Sequence, residues 1–319
     1  QSLLERGQRA LPAQVHRKWS QKLAAREDKA RLSARKVLGV DLGFDDNLTS
    51  LTPSDSVYIP SSNQYLALDN HRREEGVFSR LYVGGSWRYN TQADRWWQLD
   101  TFAAKHWDDS YSQHQVFAAL SFHRPLGKGR LGAQLDTVLD GGQDLDRRRS
   151  DALQLSYRQP QGSRVWQAKV RAVNTHFSGQ SLRDDRRLSL DLDVEQALDE
   201  RWQVKLGLSV SADIKDSPER ADLDYRTTGI SLALKRDLSE QWQLFIDADY
   251  QHTRYRGEDS SFQRKRRDSR THLQLRLRYQ YSERSSFSAS IGHTRNQSNI
   301  SLNQYRKNAL RLGYLYQFE

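Results

Sequence analysis

Arg311-Leu312-Gly313-Tyr314-Leu315-Tyr316-Gln317-Phe318, followed by Glu319, is the stretch whose reading decides the fold. Leu310, Leu312, Tyr314, Tyr316 and Phe318 alternate with Ala309, Arg311, Gly313, Leu315 and Gln317. A period of two gives an extended segment one apolar face and one mixed face. The apolar face carries aromatic rings towards its end, where a membrane-spanning strand meets the interface. An edge strand of a soluble sandwich would alternate in the same way, so the rest of the chain has to discriminate.

The chain has 319 residues and a mean hydropathy of −0.89. No run approaches the roughly 18 consecutive apolar residues of a spanning helix. A membrane barrel escapes that requirement, because only every second residue faces lipid. Cys is absent, which excludes disulfides and thiolate metal sites. A formal charge of +10 first suggests nucleic acid. The basic residues, however, are mixed with acids, and no aromatics are interleaved for base stacking, so no nucleic-acid partner is expected. No signal peptide is present, and Gln1 reads either as a mature N-terminus or as a cut within a longer chain.

Residues 1–34 read as a helical segment, periplasmic in the architecture that follows. Leu3, Leu4, Leu11, Val15, Trp19 and Leu23 recur at roughly helical spacing, broken by Gly7 and Pro12. From Arg35 to Glu319 the period is two. About fourteen candidate strands follow (sixteen are possible), from Leu38-Val40-Leu42-Phe44 to the terminal stretch. The expected fold is all-β: a transmembrane, antiparallel, up-and-down barrel spanning 35–319.

Connections sort by length, with one exception: Trp107–Tyr111 is short where a long loop is expected. Short turns are expected at Asn90–Arg95, Arg124–Gly129, Gln159–Ser163, Ala197–Glu200, Asp237–Glu240 and Ser282–Ser285. Longer, charged loops are expected at Asp45–Gly76, Asp140–Ser150, Asn174–Arg186, Asp213–Asp222, His252–Arg270 and Arg295–Asn303. Outer-membrane barrels place short turns in the periplasm and long loops outside. Trp97, Trp166, Trp202 and Trp242 each follow a short turn, while Tyr89, Tyr157, Tyr281, Tyr316 and Phe318 end strands at the same level. Amphipathic rings gain most where hydrocarbon meets water, so these nine read as a membrane girdle. Both chain ends are then periplasmic, in the outer membrane of a Gram-negative bacterium.

The complementary face should line a lumen. Its charged residues are Asp41, Arg88, Asp100, Asp136, Lys169, Arg171, Asp191, Asp193, Lys205, Asp247, Asp249, Arg276, Arg278 and Arg311. Neighbouring strands look matched in sign: Lys169 and Arg171 against Asp191 and Asp193, Asp247 and Asp249 against Arg276 and Arg278, and Asp41 near Arg311 at closure. The loop 45–76, with Val57-Tyr58-Ile59 and Tyr65-Leu66, is long enough to fold inwards as a plug or to remain an ordinary surface loop. Nine His show no ligand spacing on one strand face, so no metal, cofactor or enzymatic site is expected. The basic clusters at 147–149, 183–187 and 264–267 are expected in outer loops, where guanidinium groups meet lipopolysaccharide phosphates.

Three stretches carry a family resemblance. The terminal pattern polar-x-Gly-x-x-aromatic-x-aromatic resembles the C-terminal signal of outer-membrane barrels, which implies the barrel-assembly machinery as a partner. Gly39-Val40-Asp41-Leu42-Gly43-Phe44-Asp45-Asp46-Asn47, with Leu11-Pro12-Ala13-Gln14-Val15 ahead of it, resembles the junction between a tetratricopeptide-repeat region and its barrel. Gln297-Ser298-Asn299-Ile300 with Tyr305-Arg306-Lys307-Asn308 resembles the closing hairpin of surface lipoprotein assembly modifier barrels. The layout and the Arg-, Gln- and Trp-rich composition also look like the Pel-type exopolysaccharide export porin. These resemblances imply an export channel with periplasmic partners. Its cargo would be an exopolysaccharide in biofilm secretion, or alternatively a surface lipoprotein, with a passive porin or barrel enzyme third.

Overall fold

Strand alternation and short-turn chemistry close the chain into a ring. The computed structural model describes residues 32–318 apart from 48–49, 51, 55, 69–74, 93, 109–111, 143–144, 180 and 216–222. The helix expected over 1–34 falls on 1–31, outside the described residues. Strand β1 (Leu32–Asp45) begins three residues before the boundary expected at Arg35. A hairpin, β2 (Ser56–Ile59) and β3 (Gln64–Ala67), stands apart from the wall. Then come β4 (Gly76–Gln92), β5 (Arg95–Asp108), β6 (Ser112–Leu126), β7 (Gly129–Gly142), β8 (Leu145–Gln161) and β9 (Arg164–Phe177). β10 (Asp185–Ala197), β11 (Trp202–Lys215), β12 (Tyr225–Asp237), β13 (Trp242–Tyr255), β14 (Arg267–Gln280), β15 (Ser285–Ser298) and β16 (Tyr305–Phe318) complete it. Sequential antiparallel neighbours and a β1–β16 seam make a closed barrel of fourteen strands, which leaves no open edge.

The short turns explain why tryptophans follow them. Asp199 Oδ1 accepts hydrogen bonds from the backbone N–H of Arg201 and of Trp202, each at 2.7 Å. Ser239 Oγ accepts one from Trp242 N at 3.1 Å, and Ser282 Oγ one from Ser285 N at 3.1 Å. A short polar side chain thus fixes the turn from within and starts the next strand at a set residue. Gly127 and Gly162, at φ +57° and +61°, supply the positive φ that two-residue hairpin loops require.

One expected loop is absent. β7 runs to Gly142 and β8 starts at Leu145, so Asp140–Ser150 is mostly strand. Arg147-Arg148-Arg149 therefore belongs to β8 and not to a loop. Arg148 is ion-paired with Asp140, its register partner on β7, and Arg149 with Asp151 at 2.9 Å. Neutralisation by these carboxylates lets the hairpin continue as a ladder. Arg186 and Arg187 likewise lie in β10, and Arg267 opens β14.

The β1–β16 seam is fastened at the long-loop end. Asp46 Oδ1 accepts from Asn308 N at 2.7 Å and Asp46 Oδ2 from Asn308 Nδ2 at 2.6 Å. Asn47 Nδ2 donates to Arg306 O at 2.9 Å, and Lys307 Nζ lies 2.7 Å from Asp45 Oδ2. Residues 45–47 and 306–308 thus form one clasp across the closure. Asn308→Ala is expected to lower the unfolding free energy by about 1–2 kcal/mol, the low end for a hydrogen bond to a carboxylate because this pair is exposed. Urea titration read by the gel mobility of the folded barrel checks this. An unchanged midpoint would mean that the clasp adds nothing to closure.

Candidate functional site

The large apolar residues of alternate positions are exposed on the outside: Leu38, Val40 and Leu42 on β1, Leu190 and Leu192 on β10, Leu310 and Leu312 on β16. Their strand neighbours point to the opposite face. A cavity of about 370 Å³ shows which face is internal. Side chains from β6 (Gln115), β4 (Phe78, Arg80), β16 (Arg311) and β14 (His272, Gln274) line it together, and only the inside of the ring can bring these strands face to face. All fourteen charged residues singled out from the sequence sit on strands, out of phase with the exposed apolar positions.

Their pairing is more specific than sign-matching between neighbours. Lys169 Nζ lies 3.1 Å from Asp193 Oδ2, and Lys205 Nζ lies 3.2 Å from the same oxygen, so one carboxylate ties β9, β10 and β11. Arg171 does not engage Asp191. Its guanidinium reaches over β8 and grips Asp136 of β7 in a two-pronged pair, Nη1–Oδ1 2.8 Å and Nη2–Oδ2 2.7 Å. Ala152, the register partner of Asp136 on β8, is small enough to let it pass. Asp191 stands opposite Lys169.

On β13 and β14 the register differs from the expected match. Asp247 faces Gln274 and Asp249 faces His272, while Arg276 faces Phe245 and Arg278 faces Gln243. The two basic residues are displaced towards the short turn. Arg276 rests 4.6 Å from the Phe245 ring centre, and Asp249 takes Arg270 at 3.8 Å. Alternation fixes which face a residue occupies, but not how far one strand slides along another.

Around the seam, β1 presents Gly39, Asp41 and Gly43 inwards. Tyr82 packs over Gly39 and Phe78 over Gly43, each so close that an added Cβ would meet the ring at 2.1 and 2.4 Å. Asp41 lies over Gly313, with the charges of Arg311 and Arg80 bearing on it. Arg80 sits 5.7 Å from the Tyr82 ring centre and 5.5 Å from that of Phe102. This shelf of rings and guanidinium groups was missed in the sequence, although Gly-x-Asp-x-Gly on one strand face signals bulky neighbours laid across it. At the long-loop end Asp213, fully buried, takes Arg187 at 2.7 Å, and Arg187 also donates to Tyr225 Oη at 2.7 Å.

At the short-turn end, Trp96 and Trp97 point to opposite faces. Trp97 is exposed outside, as are Tyr89, Trp166, Trp242, Tyr281 and Phe318, with Trp202, Tyr157 and Tyr316 half-buried among them. Inside, Asp100 takes Gln98 Nε2 at 2.9 Å, and Arg88 donates to Asn90 Oδ1 at 2.9 Å. The β2–β3 hairpin does not present its apolar residues to the wall. Val57 and Leu68 are buried with Phe262 and Ile300 from the two loops that flank β14 and β15. Among the described residues no group of His, Asp and Glu has metal-ligand geometry.

Residues 186–319 match the model of a family described as surface lipoprotein assembly modifier. No curated protein matches the sequence. Among solved structures, outer-membrane expressed OmpT of Vibrio cholerae is similar at TM-score 0.53 and 9% identity, covering 90% of this chain and 97% of that one. The outer membrane channel DcaP of Acinetobacter baumannii gives 0.51 at 8% identity, covering 90% and 97%. A bacterial polysaccharide outer membrane secretin gives 0.50 at 12% identity, covering 89% and 98%. At such identities the likeness is one of fold, and that fold is the outer-membrane β-barrel.

Proposed function

We propose that the chain is an outer-membrane export channel that helps surface lipoproteins reach the cell exterior. The observation that carries the cargo is the match of 186–319, which takes in β11 to β16, to the surface lipoprotein assembly modifier model. The inner wall supports the channel. Carboxylates, guanidinium groups, Gln and His side chains at many depths can exchange hydrogen bonds with a hydrated segment without trapping it in one deep well. The fourteen charged residues from Asp41 to Arg311 line the passage in this reading.

In this reading the ring of Trp97, Trp166, Trp202, Trp242 and their tyrosine neighbours sits at the periplasmic interface of a Gram-negative outer membrane. The long loops then face lipopolysaccharide, and both ends of the chain lie on the periplasmic side. The residues ahead of β1 join the barrel to a repeat region that recruits periplasmic partners, and β16 presents the signal for barrel assembly. Exopolysaccharide is the second reading. It is favoured by the shelf of Tyr82 and Phe102 beneath Arg80, because flat rings and planar donors suit sugar faces and hydroxyls.

Deleting the gene and scoring surface lipoproteins by protease shaving separates the two. Lipoproteins held inside with pellicle formation intact is the expected result. Lost pellicle with normal lipoprotein display would replace the cargo by a glycan. The purified barrel is expected to conduct in planar bilayers, with single-channel current altered in Asp247→Ala or Arg276→Ala. Unchanged current in both would remove the β13–β14 face from the passage.

A further inference from the structure

The short-turn mouth holds a cluster of which only Arg88 has so far been given a part, as one charge of the inner wall. Trp96 is 8% exposed, and its buried indole Nε1 has no acceptor among the described residues. Two guanidinium carbons lie over its ring, Arg88 Cζ 3.9 Å and Arg130 Cζ 4.3 Å from the centre. His123 stacks on the same indole at 4.9 Å and 20°. Arg158 stands directly opposite Arg130 in the β7–β8 ladder.

Like charges in register oppose the ladder, and compensation here is thin. Arg88 donates to a neutral amide, Asn90. Arg158 reaches Glu195 only at 3.5 Å, between two exposed side chains. Arg130 has Asp94 within electrostatic reach but forms no hydrogen bond or ion pair among the described residues. Asp100, the other carboxylate nearby, is already held by Gln98 through both oxygens. Cation–π contact orients the guanidinium planes without satisfying their N–H donors.

We propose that Arg88, Arg130 and the Trp96 indole N–H form an oxyanion-binding site, for a carboxylate or phosphate group on material entering the barrel at its short-turn mouth. Two planar forks beside a buried indole donor can together offer N–H groups to two or three oxygens of one anionic group. The role assigned to it, taking hold of incoming cargo, rests on the channel reading. The binding site itself does not, because a small anion tests it without cargo.

Calorimetric titration of the full chain in detergent with inorganic phosphate, at low chloride, is expected to show one saturable site. Arg130→Gln should weaken it by at least about tenfold, the loss of one charge-assisted contact. Trp96→Phe, which keeps the ring and removes the N–H, should weaken it less. Arg236→Gln removes a guanidinium from the outward-facing Trp202 ring, 4.8 Å away, and should leave binding unchanged. Acetate should compete. Gel mobility establishes that each variant is a folded barrel, and Arg130→Lys serves if the Gln variant does not fold. Absence of saturable binding in the parent chain, or equal binding in the Arg130 and Trp96 variants, would overturn the site. Phosphate that acetate cannot displace would remove carboxylates from the ligand class.

Discussion

Gly43→Ala is expected to cost the barrel about 2–3 kcal/mol, the upper part of the range for overpacking a filled site, or to prevent closure altogether. A Cβ at this position would lie 2.4 Å from Phe78 Cζ and 2.6 Å from the Leu310 carbonyl oxygen. Phe78 can swing into the cavity, but the Leu310 oxygen belongs to the β16 backbone and cannot yield without opening the ladder. Gly39 provides the internal control. The three atoms nearest to its added Cβ all belong to the far end of the Tyr82 ring, which can rotate away. Gly39→Ala should therefore cost about 1 kcal/mol or less. Urea-induced unfolding of both refolded variants in the same lipid makes the comparison, and equal losses would show that backbone crowding at the seam is not the cause.

The second large effect is at Asp136. Its side chain is fully shielded, both oxygens are taken by Arg171, and Oδ1 also accepts from Gln134 Nε2 at 3.0 Å. Asp136→Ala leaves the guanidinium without its counter-charge on the inner wall, at a cost of about 2–4 kcal/mol. The loss falls short of the full buried-pair figure because Arg171 keeps 28% of its side chain exposed and regains water. Asp136→Ala combined with Arg171→Met should restore most of the stability, since the unpaired charge is removed with its partner. A double variant as unstable as the single one would mean that the carboxylate acts through packing alone. The same pair should also answer in current: Asp136→Ala adds one net positive charge to the passage and should shift its selectivity towards anions.

Chain pattern and tertiary structure part company at particular residues. Alternation puts Asp136 and Arg171 on the same face, but sign-matching between neighbouring strands sets Arg171 against the β10 carboxylates and not against Asp136. Only a closed, curved wall with Ala152 between them brings β7 and β9 within reach of one side chain. Two consecutive tryptophans in a strand must point to opposite faces, so Trp96 lies inside where Trp97 lies outside. The contact of Trp96 with both Arg88 and Arg130 depends on β4 and β7 flanking β5 and β6. The clasp of residues 45–47 with 306–308 was present as two separate motifs far apart in the chain, and closure made them one feature.

Fourteen strands, their two faces and the short turns follow from the chain itself, because a period of two and a capping Asp or Ser act within a few neighbouring residues. Register, the seam, the shelf over Gly39 and Gly43, and the packing of Val57 against Phe262 and Ile300 were decided only by the tertiary structure. Each of these depends on how far one strand slides past the next and on the curvature needed to close the ring. That quantity is set by the whole wall at once, so no single segment encodes it.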